Sequence, residues 1–286
     1  MTIEHKGTVQ LPQLRISGGS TAGIGTSIVL HELDTCIDIG FSTRESTGCR
    51  NLILTHGHPD HMGALIAHLG KRLLYGLRPA RIFGEPFLIE ALQEMVRAAE
   101  TAQGGALPAE WFPVKPGERH HLKGNLFLEA FRGVHVVPTM GYAFISSRQK
   151  LKPEYSHLTG PEIGARRKKG DDTLFYQFEE TLLACSGDAL PELIDRVEHC
   201  RVAKKLIMEC SFLDDQKPVA LARKGGHTHL DELLPRLHLL ECEHLILTHF
   251  SQMYRPEEVR RILETTLPEA WVERTHPLTR KRKSKS

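Results

Sequence analysis

Short apolar runs bounded by turn residues recur along this chain. Residues 26–33 and 36–39 alternate between apolar and polar positions, which predicts a β-hairpin. Residues 52–54, 181–184 and 244–247 are mostly apolar runs with the length of buried strands. The pattern therefore predicts strands in both halves of the chain.

Longer segments with apolar residues three and four positions apart predict helices between and after these strands. Residues 86–102 and 229–240 carry such a stripe, and residues 257–263 form a short amphipathic segment begun by Pro256. Strands followed by helices, twice along the chain, predict an α/β fold in which two sheets pack together and helices cover them.

The composition favours a globular protein with a sizeable core. Of 286 residues, 40% are hydrophobic and 25% are charged. No linker rich in proline, glycine or serine divides the chain. We therefore predict one domain over residues 1–275, followed by a basic, disordered tail over residues 276–286.

Membrane and cysteine patterns bear on the expected location. No apolar stretch approaches the length that crosses a bilayer, and residues 1–6 are polar, so we expect no membrane association and no signal peptide. The six cysteines include no Cys-x-x-Cys pair, which predicts buried free thiols rather than metal ligands. A reducing cytoplasm is the expected location.

Two kinds of segment invite a phosphate-binding interpretation. Residues 18–25 are rich in glycine but lack the Lys-Ser/Thr of a phosphate-binding loop, so they predict a tight turn between strands. The net charge of +2 is small, but basic residues cluster at residues 166–169 (Arg166, Arg167, Lys168 and Lys169) and 280–285. These clusters suit either phosphate contacts or a solvated turn and a disordered end, and the sequence leaves both open.

The strongest chemical signal is the segment His-Gly-His-Pro-Asp-His, which directly follows the apolar run at residues 52–54 and Thr55. Its possible ligands are His56, His58, Asp60 and His61. Imidazole nitrogens and carboxylate oxygens are the donors that zinc takes, and four of them share one strand-to-helix loop. This spacing predicts a metal site.

The same segment, with five later motifs in order, resembles the ribonuclease Z branch of the metallo-β-lactamase superfamily. The motifs span about residues 50–254 and are His135 followed by Thr139-Met140-Gly141-Tyr142, Ser186-Gly187-Asp188, Glu209-Cys210-Ser211-Phe212, Gly226-His227-Thr228, and Leu247-Thr248-His249-Phe250-Ser251 with Tyr254. In that family the motif that corresponds to Glu209-Cys210-Ser211-Phe212 reads Glu-Ala-Thr-Phe. The resemblance implies a four-layer αββα sandwich.

The resemblance also implies two divalent metal ions, with Zn²⁺ expected, although the same donors accept Mn²⁺ or Fe²⁺. The implied ligands are His56, His58 and His135 for the first ion, Asp60, His61 and His249 for the second, and Asp188 between them. Asp38 resembles the aspartate of the superfamily's first motif, which orients ligands. The residue types alone also allow a capping or turn role for it.

The implied reaction is hydrolysis of a phosphodiester, with RNA as the expected substrate, by a water that the metal ions activate. Asp60 would orient this water and accept its proton. His227, held by Glu209, would protonate the leaving 3′ oxygen. The alternatives are a surface salt bridge for Glu209 and a helix-start position for His227, and we expect His229 to be structural.

Two departures from the family leave the substrate open. Residues 143–180 are short for the protruding arm that binds tRNA, so they are either a reduced arm or an unrelated lid. After Asp38, which resembles the aspartate of the superfamily's first motif, this chain reads Gly40-Phe41-Ser42-Thr43 where the family has Gly-Glu-Gly-Thr-Gln. The expected partner is RNA, such as precursor tRNA. The alternatives are a hydrolase of a small phosphodiester or another ester without tRNA specificity, and a non-catalytic RNA-binding relative. By analogy with the family, a homodimer is expected.

Overall fold

Fifteen strands form two sheets in the computed structural model, which describes residues 7–279. The strands are β1 (Gly7–Leu11), β2 (Leu14–Ala22), β3 (Gly25–Leu30), β4 (Thr35–Ile37), β5 (Asn51–Ile53), β6 (Ala80–Gly84), β7 (Ala109–Pro113), β8 (Arg119–Lys123), β9 (Leu126–Arg132), β10 (Met140–Leu151), β11 (Phe175–Cys185), β12 (Lys205–Glu209), β13 (His244–Thr248), β14 (Phe250–Ser251) and β15 (Thr275–Pro277).

Helices connect and cover these strands. The α-helices are α1 (Arg44–Gly48), α2 (Pro59–Met62), α3 (Leu65–Leu74), α4 (Pro86–Gln103), α5 (Gly160–Lys168), α6 (Glu192–Arg196), α7 (Glu198–Val202), α8 (Val219–Lys224), α9 (Leu230–Leu233), α10 (Pro256–Thr266) and α11 (Glu269–Val272). Short 3₁₀ helices cover His31–Leu33, Pro153–Tyr155, Asp172–Leu174 and Leu234–Leu239. No helix within residues 7–279 is both long enough and apolar enough to cross a membrane.

Each sheet changes from antiparallel to parallel pairing along its width. The first sheet runs in the order β1 to β7, with β14 added beside β2, and pairing becomes parallel from β4 onward. The second sheet runs β15-β13-β12-β11-β10-β9-β8, and its parallel part comprises β11, β12, β13 and β15. The parallel strands matter for the site because their carboxyl ends point the same way.

Three apolar layers hold the sheets and helices together. The central layer joins the facing sides of both sheets, for example Ile53 and Phe83 from the first with Tyr142 and Ile207 from the second. A second layer packs α3 and α4 on the outer face of the first sheet. A third packs α9, α10 and α11 on the outer face of the second. Helix, sheet, sheet and helix in succession confirm the predicted α/β, four-layer αββα sandwich.

Most predicted elements are present, with differences at their ends. The predicted helix at residues 86–102 is α4, which begins at Pro86 and ends before Gly104 in the left-handed conformation. The predicted tight turn at residues 18–25 is much narrower, because β2 continues to Ala22 and only two residues separate it from β3. The segment 229–240 is α9 followed by a 3₁₀ helix rather than one α-helix.

The carboxyl-terminal boundary lies further along the chain than predicted. Strand β15 contains His276 and Pro277, both placed in the tail by the sequence pattern. Leu278 is fully buried in the central layer. The basic residues from Arg280 onward lie outside the described residues. The prediction of a single domain is not tested by these features and stays a prediction.

A buried hydrogen bond links the central layer to the loop that follows β5. The hydroxyl of Tyr142 donates to the carbonyl of Leu54 at 2.8 Å, and Tyr142 is fully buried. Tyr142→Phe would leave that carbonyl without this partner. We expect the free energy of unfolding to fall by about 1–3 kcal/mol, measured by urea denaturation. Tyr176→Phe at a partly exposed position is the control, and equal losses in both variants would contradict the argument.

Candidate metal centre and proton donor

The His-x-His-x-Asp-His segment lies where β5 leads into α2. His56 and His58 occupy the loop after β5, and Asp60 and His61 lie in the first turns of α2. Pro59 takes the first helical position, where the missing N–H removes no helical hydrogen bond. The local sequence therefore brings all four side chains to one strand-to-helix junction.

The other residues predicted for the site follow strands of the second sheet. Asp188 comes three residues after β11, Glu209 is the last residue of β12, and His249 directly follows β13. His135 lies in the loop between β9 and β10. Because β11, β12 and β13 are parallel, their carboxyl ends bring residues from distant parts of the chain to one rim.

The possible ligand atoms of these residues form three overlapping groups, in each of which all atoms lie within 4.8 Å of one another. The groups are His56, His58, His135 and Asp188; Asp60, His61 and His249; and Asp188, His227 and His249. All seven residues predicted as metal ligands thus belong to one cluster. Two of the groups match the two ligand sets that the resemblance implied, and the third joins Asp188 and His249 to His227, the residue predicted as the proton donor.

Asp188 lies at the centre of the cluster. One oxygen of its carboxylate, Oδ2, is 3.3 Å from the Nε2 atoms of both His61 and His249 and 3.8 Å from Nε2 of His56. Burial would raise the pKa of this carboxyl group, but His249 and His61 hold it well below the usual range. Asp188 therefore presents an ionised oxygen to both halves of the cluster.

Asp38 orients two of the histidines. Its Oδ2 atom accepts from Nδ1 of His61 at 2.7 Å and from the hydroxyl of Thr55 at 2.8 Å. Since the Thr55 proton goes to Asp38, the same hydroxyl oxygen accepts from Nδ1 of His56 at 3.0 Å. Both rings therefore direct Nε2 into the cluster. Asp38 also has a left-handed backbone (φ 56°), a conformation rare for residues other than glycine.

His135 is oriented by the backbone of a different segment. Its Nδ1 atom donates to the carbonyl of Gly226 at 2.9 Å, which leaves Nε2 to point toward the other ligands. Gly226 has φ 76°, and a Cβ atom there would lie 2.6 Å from Nδ1 of His135. Only glycine allows the chain to pass this close to the ring.

The donor set fits divalent cations. The Nε2 atom of His135 is buried and has no hydrogen-bond partner, although buried polar atoms are normally paired. Burial and the neighbouring His61 lower the pKa of His56 to about 2, so its ring is neutral and offers a lone pair. Neutral imidazoles around an ionised carboxylate are the donors that zinc and similar ions bind.

The glycine-rich segment reaches the site in a way that the sequence did not indicate. The amide N–H of Gly23, in the turn between β2 and β3, donates to Oδ2 of Asp60 at 2.9 Å. The end of β2 also pairs with β14, which begins directly after His249. One hairpin therefore supports two residues of the same half of the cluster. The only sequence signal for this support was the glycine-rich segment, which predicted a turn but not the contact with Asp60.

Glu209 and His227 form a pair at the edge of the cluster. Nδ1 of His227 donates to Oε1 of Glu209 at 2.9 Å and lies 4.0 Å from Oδ2 of Asp188. Glu209 is buried, whereas the His227 side chain is about one fifth exposed (20%). Burial alone would lower the pKa of His227, but the hydrogen bond and charge of Glu209 raise it. The ring is therefore set up to hold a proton within reach of solvent.

His229 and the six cysteines do not belong to the ligand groups, as the sequence predicted. Nδ1 of His229 accepts from the N–H of Asp231 at the start of α9, and its Nε2 donates to the carbonyl of Asp214, so His229 has a structural role. All six cysteines are free and buried.

Comparisons with known proteins were made for both sequence and fold. The chain is 32% identical over 264 residues to the chloroplastic tRNase Z TRZ2 of Arabidopsis thaliana, a match that covers 90% of the chain and 73% of the relative. It is 28% identical over 268 residues to tRNase Z TRZ1 of the same plant, covering 93% and 95% of the two chains. No protein-family model matches the sequence.

Solved structures share the fold at low sequence identity. The metallo-β-lactamase-fold protein YhfI of Bacillus subtilis superposes with a TM-score of 0.62 at 15% identity, covering 92% of this chain and 95% of its own. The short form of human tRNase Z superposes with a TM-score of 0.60 at 16% identity, with the same coverage of both chains. At these identities the likeness concerns the fold alone.

The cluster predicts a specific metal content. Elemental analysis of the native protein should approach two divalent ions per chain, since two of the ligand groups match the two ion sites that the resemblance implied. Asp188→Asn should lower this number because the Asp188 carboxylate faces both halves. Asp195→Asn, which alters a surface ion pair with Arg236, should bind as much metal as the native protein. Native protein without bound metal, or full metal content in Asp188→Asn, would contradict the assignment.

Proposed function

Because the chain belongs to the ribonuclease Z family of the metallo-β-lactamase superfamily, we propose that it is a metal-dependent endoribonuclease that acts on precursor tRNA. Relatives of this family are named for cleavage of tRNA, and they match the chain over nine tenths of its length. The reaction is hydrolysis of a phosphodiester bond, which leaves a 3′ hydroxyl on the processed RNA.

We assign two cations to the cluster around Asp188. The residues that would hold them are His56, His58 and His135 for the first, Asp60, His61 and His249 for the second, and Asp188 for both. Their nitrogen and oxygen donors favour Zn²⁺, and Mn²⁺ or Fe²⁺ are alternatives. Bound cations would lower the pKa of a coordinated water and neutralise charge on phosphate oxygens.

The observation that carries the phosphodiesterase proposal is the pair of Glu209 and His227, joined at 2.9 Å beside the cluster. An RNA 3′ oxygen is a poor leaving group unless it receives a proton as the bond breaks. Hydrolysis of a β-lactam or a thioester does not need this second pair. The pair therefore favours phosphodiester chemistry over the other reactions that this fold hosts.

His227 is the proton donor in this proposal. Its Nδ1 atom is engaged by Glu209, so Nε2 is the nitrogen that would deliver the proton to the leaving oxygen. Asp60 has the opposite role, orienting the attacking water. Burial would raise the pKa of its carboxyl group, but His249 and His61 lower it, so Asp60 is ionised and held by Gly23.

The long hairpin of β10 and β11 supports an RNA substrate. Its two strands continue to pair with each other beyond the ends of their neighbours β9 and β12. The hairpin carries α5, whose last turn contains Arg166, Arg167 and Lys168, with Lys169 directly after it. These four side chains are exposed. Arg167 also lies over the ring of Phe175. Basic side chains beside aromatic rings suit phosphates and bases of RNA, so we interpret residues 143–180 as a reduced arm rather than a lid.

Two further expectations stay predictions. The free, buried cysteines support a cytoplasmic location, although one similar protein is named as chloroplastic. A homodimer is expected from the family, and light scattering of the purified protein tests it.

His227→Ala tests the proton donor. Cleavage of precursor tRNA should slow by roughly 10²- to 10⁴-fold, the usual contribution of a positioned acid. Hydrolysis of bis(p-nitrophenyl) phosphate should be affected far less, because p-nitrophenolate leaves without a proton. Rates on both substrates and the metal content are the measurements.

His238→Ala is the matched control, because this histidine is exposed and bonds only its own helix in the described structure. It should leave both rates unchanged. Equal losses on the two substrates in His227→Ala, or loss of metal from that variant, would show that His227 has another role.

Replacing Arg166, Arg167, Lys168 and Lys169 by serine tests the contact with tRNA. Affinity for tRNA should fall, and the slope of log K against log salt should flatten by about 0.7–0.9 for each phosphate that the variant no longer neutralises. Turnover of bis(p-nitrophenyl) phosphate should not change, because these side chains lie on the hairpin rather than at the cluster.

Arg260→Ser with Arg261→Ser, two exposed arginines on α10, is the matched control and should leave tRNA binding intact. Native protein that hydrolyses the small diester but shows no salt-dependent binding of tRNA would overturn the endoribonuclease proposal. The alternative, a hydrolase of small phosphodiesters or other esters, would then take its place.

A further inference from the structure

The hydroxyl of Ser211 connects the proton-donor pair to the metal-ligand cluster. Its oxygen lies 2.8 Å from Oε2 of Glu209 and 3.0 Å from Nδ1 of His249. Ser211 is fully buried two residues after the end of β12, so water does not compete for these contacts. A small buried side chain at this position would fill space whether or not it had a hydroxyl. The two short polar contacts, however, need the hydroxyl of Ser211.

The direction of the protons in this chain of contacts follows from the donors available. A hydroxyl has one proton to donate, and an ionised carboxylate can only accept. The Ser211 proton therefore goes to Glu209, and the Ser211 oxygen accepts from Nδ1 of His249. With its proton on Nδ1, the His249 ring keeps a lone pair on Nε2, the atom 3.3 Å from Asp188.

Glu209 is suited to anchor this series of hydrogen bonds because hydrogen-bond donors surround its carboxylate. Its Oε2 atom accepts from both the amide and the hydroxyl of Ser211. Its Oε1 atom accepts from His227 and from the amides of Ala189 and Thr228. An ionised carboxylate with this many donors can orient two histidines at once, one through each oxygen.

The same arrangement occurs in the other half of the cluster. There the Thr55 hydroxyl donates to Asp38 and accepts from Nδ1 of His56. A hydroxyl between a buried carboxylate and a histidine thus recurs in two unrelated segments. A packing role alone would not produce the same order of donors and acceptors twice.

We propose that Ser211 is a positioning residue for the second metal ion, because it holds His249 in the tautomer and orientation that offer Nε2 as a ligand. Through Ser211, Glu209 supports the metal centre as well as the proton donor His227. This inference rests on the metal assignment within the proposed function, but not on the identity of the substrate.

Ser211→Ala and Ser211→Thr separate the hydroxyl from the bulk of the side chain. Threonine keeps the hydroxyl and is the residue that the resembled Glu-Ala-Thr-Phe motif carries at this position. Competition with a chromophoric chelator measures the affinity for each Zn²⁺ ion, and melting of the metal-free proteins measures folding. Neither readout depends on catalytic activity.

In Ser211→Ala, one of the two ions should bind about 10- to 100-fold more weakly, the usual effect of removing a partner of a metal ligand, while the other keeps its affinity. Ser211→Thr should bind both nearly as the native protein does. Ser27→Ala, which removes another fully buried serine hydroxyl, one that contacts Cys36, is the control and should leave both affinities unchanged.

Unchanged affinity in Ser211→Ala, or an equal loss in Ser211→Thr and Ser211→Ala, would overturn the inference. Native protein that binds fewer than two ions would overturn it together with the metal assignment. Native protein that binds two ions and cleaves no RNA would overturn only the proposed function, so the two failures are distinguishable.

Discussion

The carboxylate of Asp188, buried among three histidines, is the interaction on which the arrangement of this molecule depends. An ionised group removed from water is costly unless opposite charge or hydrogen bonds surround it. Here its neighbours are the Nε2 atoms of His56, His61 and His249, two of which follow β5 while the third follows β13. Cations held between these donors would supply the compensating charge. The two sheets must therefore pack so that these segments meet, and the central apolar layer holds them there.

Some of the backbone at this rim adopts conformations that other parts of the chain must stabilise. Asp38 and His249 both have positive φ values, 56° and 60°, which cost about 1–3 kcal/mol each in residues other than glycine. Neighbouring pairings hold them: the Asp38 amide donates to Ile53, and β14 follows His249 into the first sheet. The strained backbone thus lies at residues whose side chains must point into the site. Regular backbone hydrogen bonds on either side of these residues stabilise the strained conformation.

Much of the fold was predictable because periodicity reports which face of an element is buried. The stripe of α4 and the apolar runs of β5, β11 and β13 are local patterns, and the structure has elements there. Residues 18–25 were predicted less well, because glycines in a strand carry no pattern and their role depends on close packing against neighbouring strands. The boundary at residue 275 failed for a related reason: the burial of Leu278 depends on distant residues.

By itself, the sequence determined which residue types gather at the site. The His-x-His-x-Asp-His spacing places four donors on one loop. The apolar runs before Asp188 and His249 predicted that each of these residues follows the end of a strand. Only the tertiary structure decided how each ring is turned. The contacts of Gly23 with Asp60, Gly226 with His135 and Ser211 with His249 join residues 37, 91 and 38 positions apart. Such contacts leave no periodic trace, because hydrogen-bond partners distant in sequence are set by the packing of the two sheets.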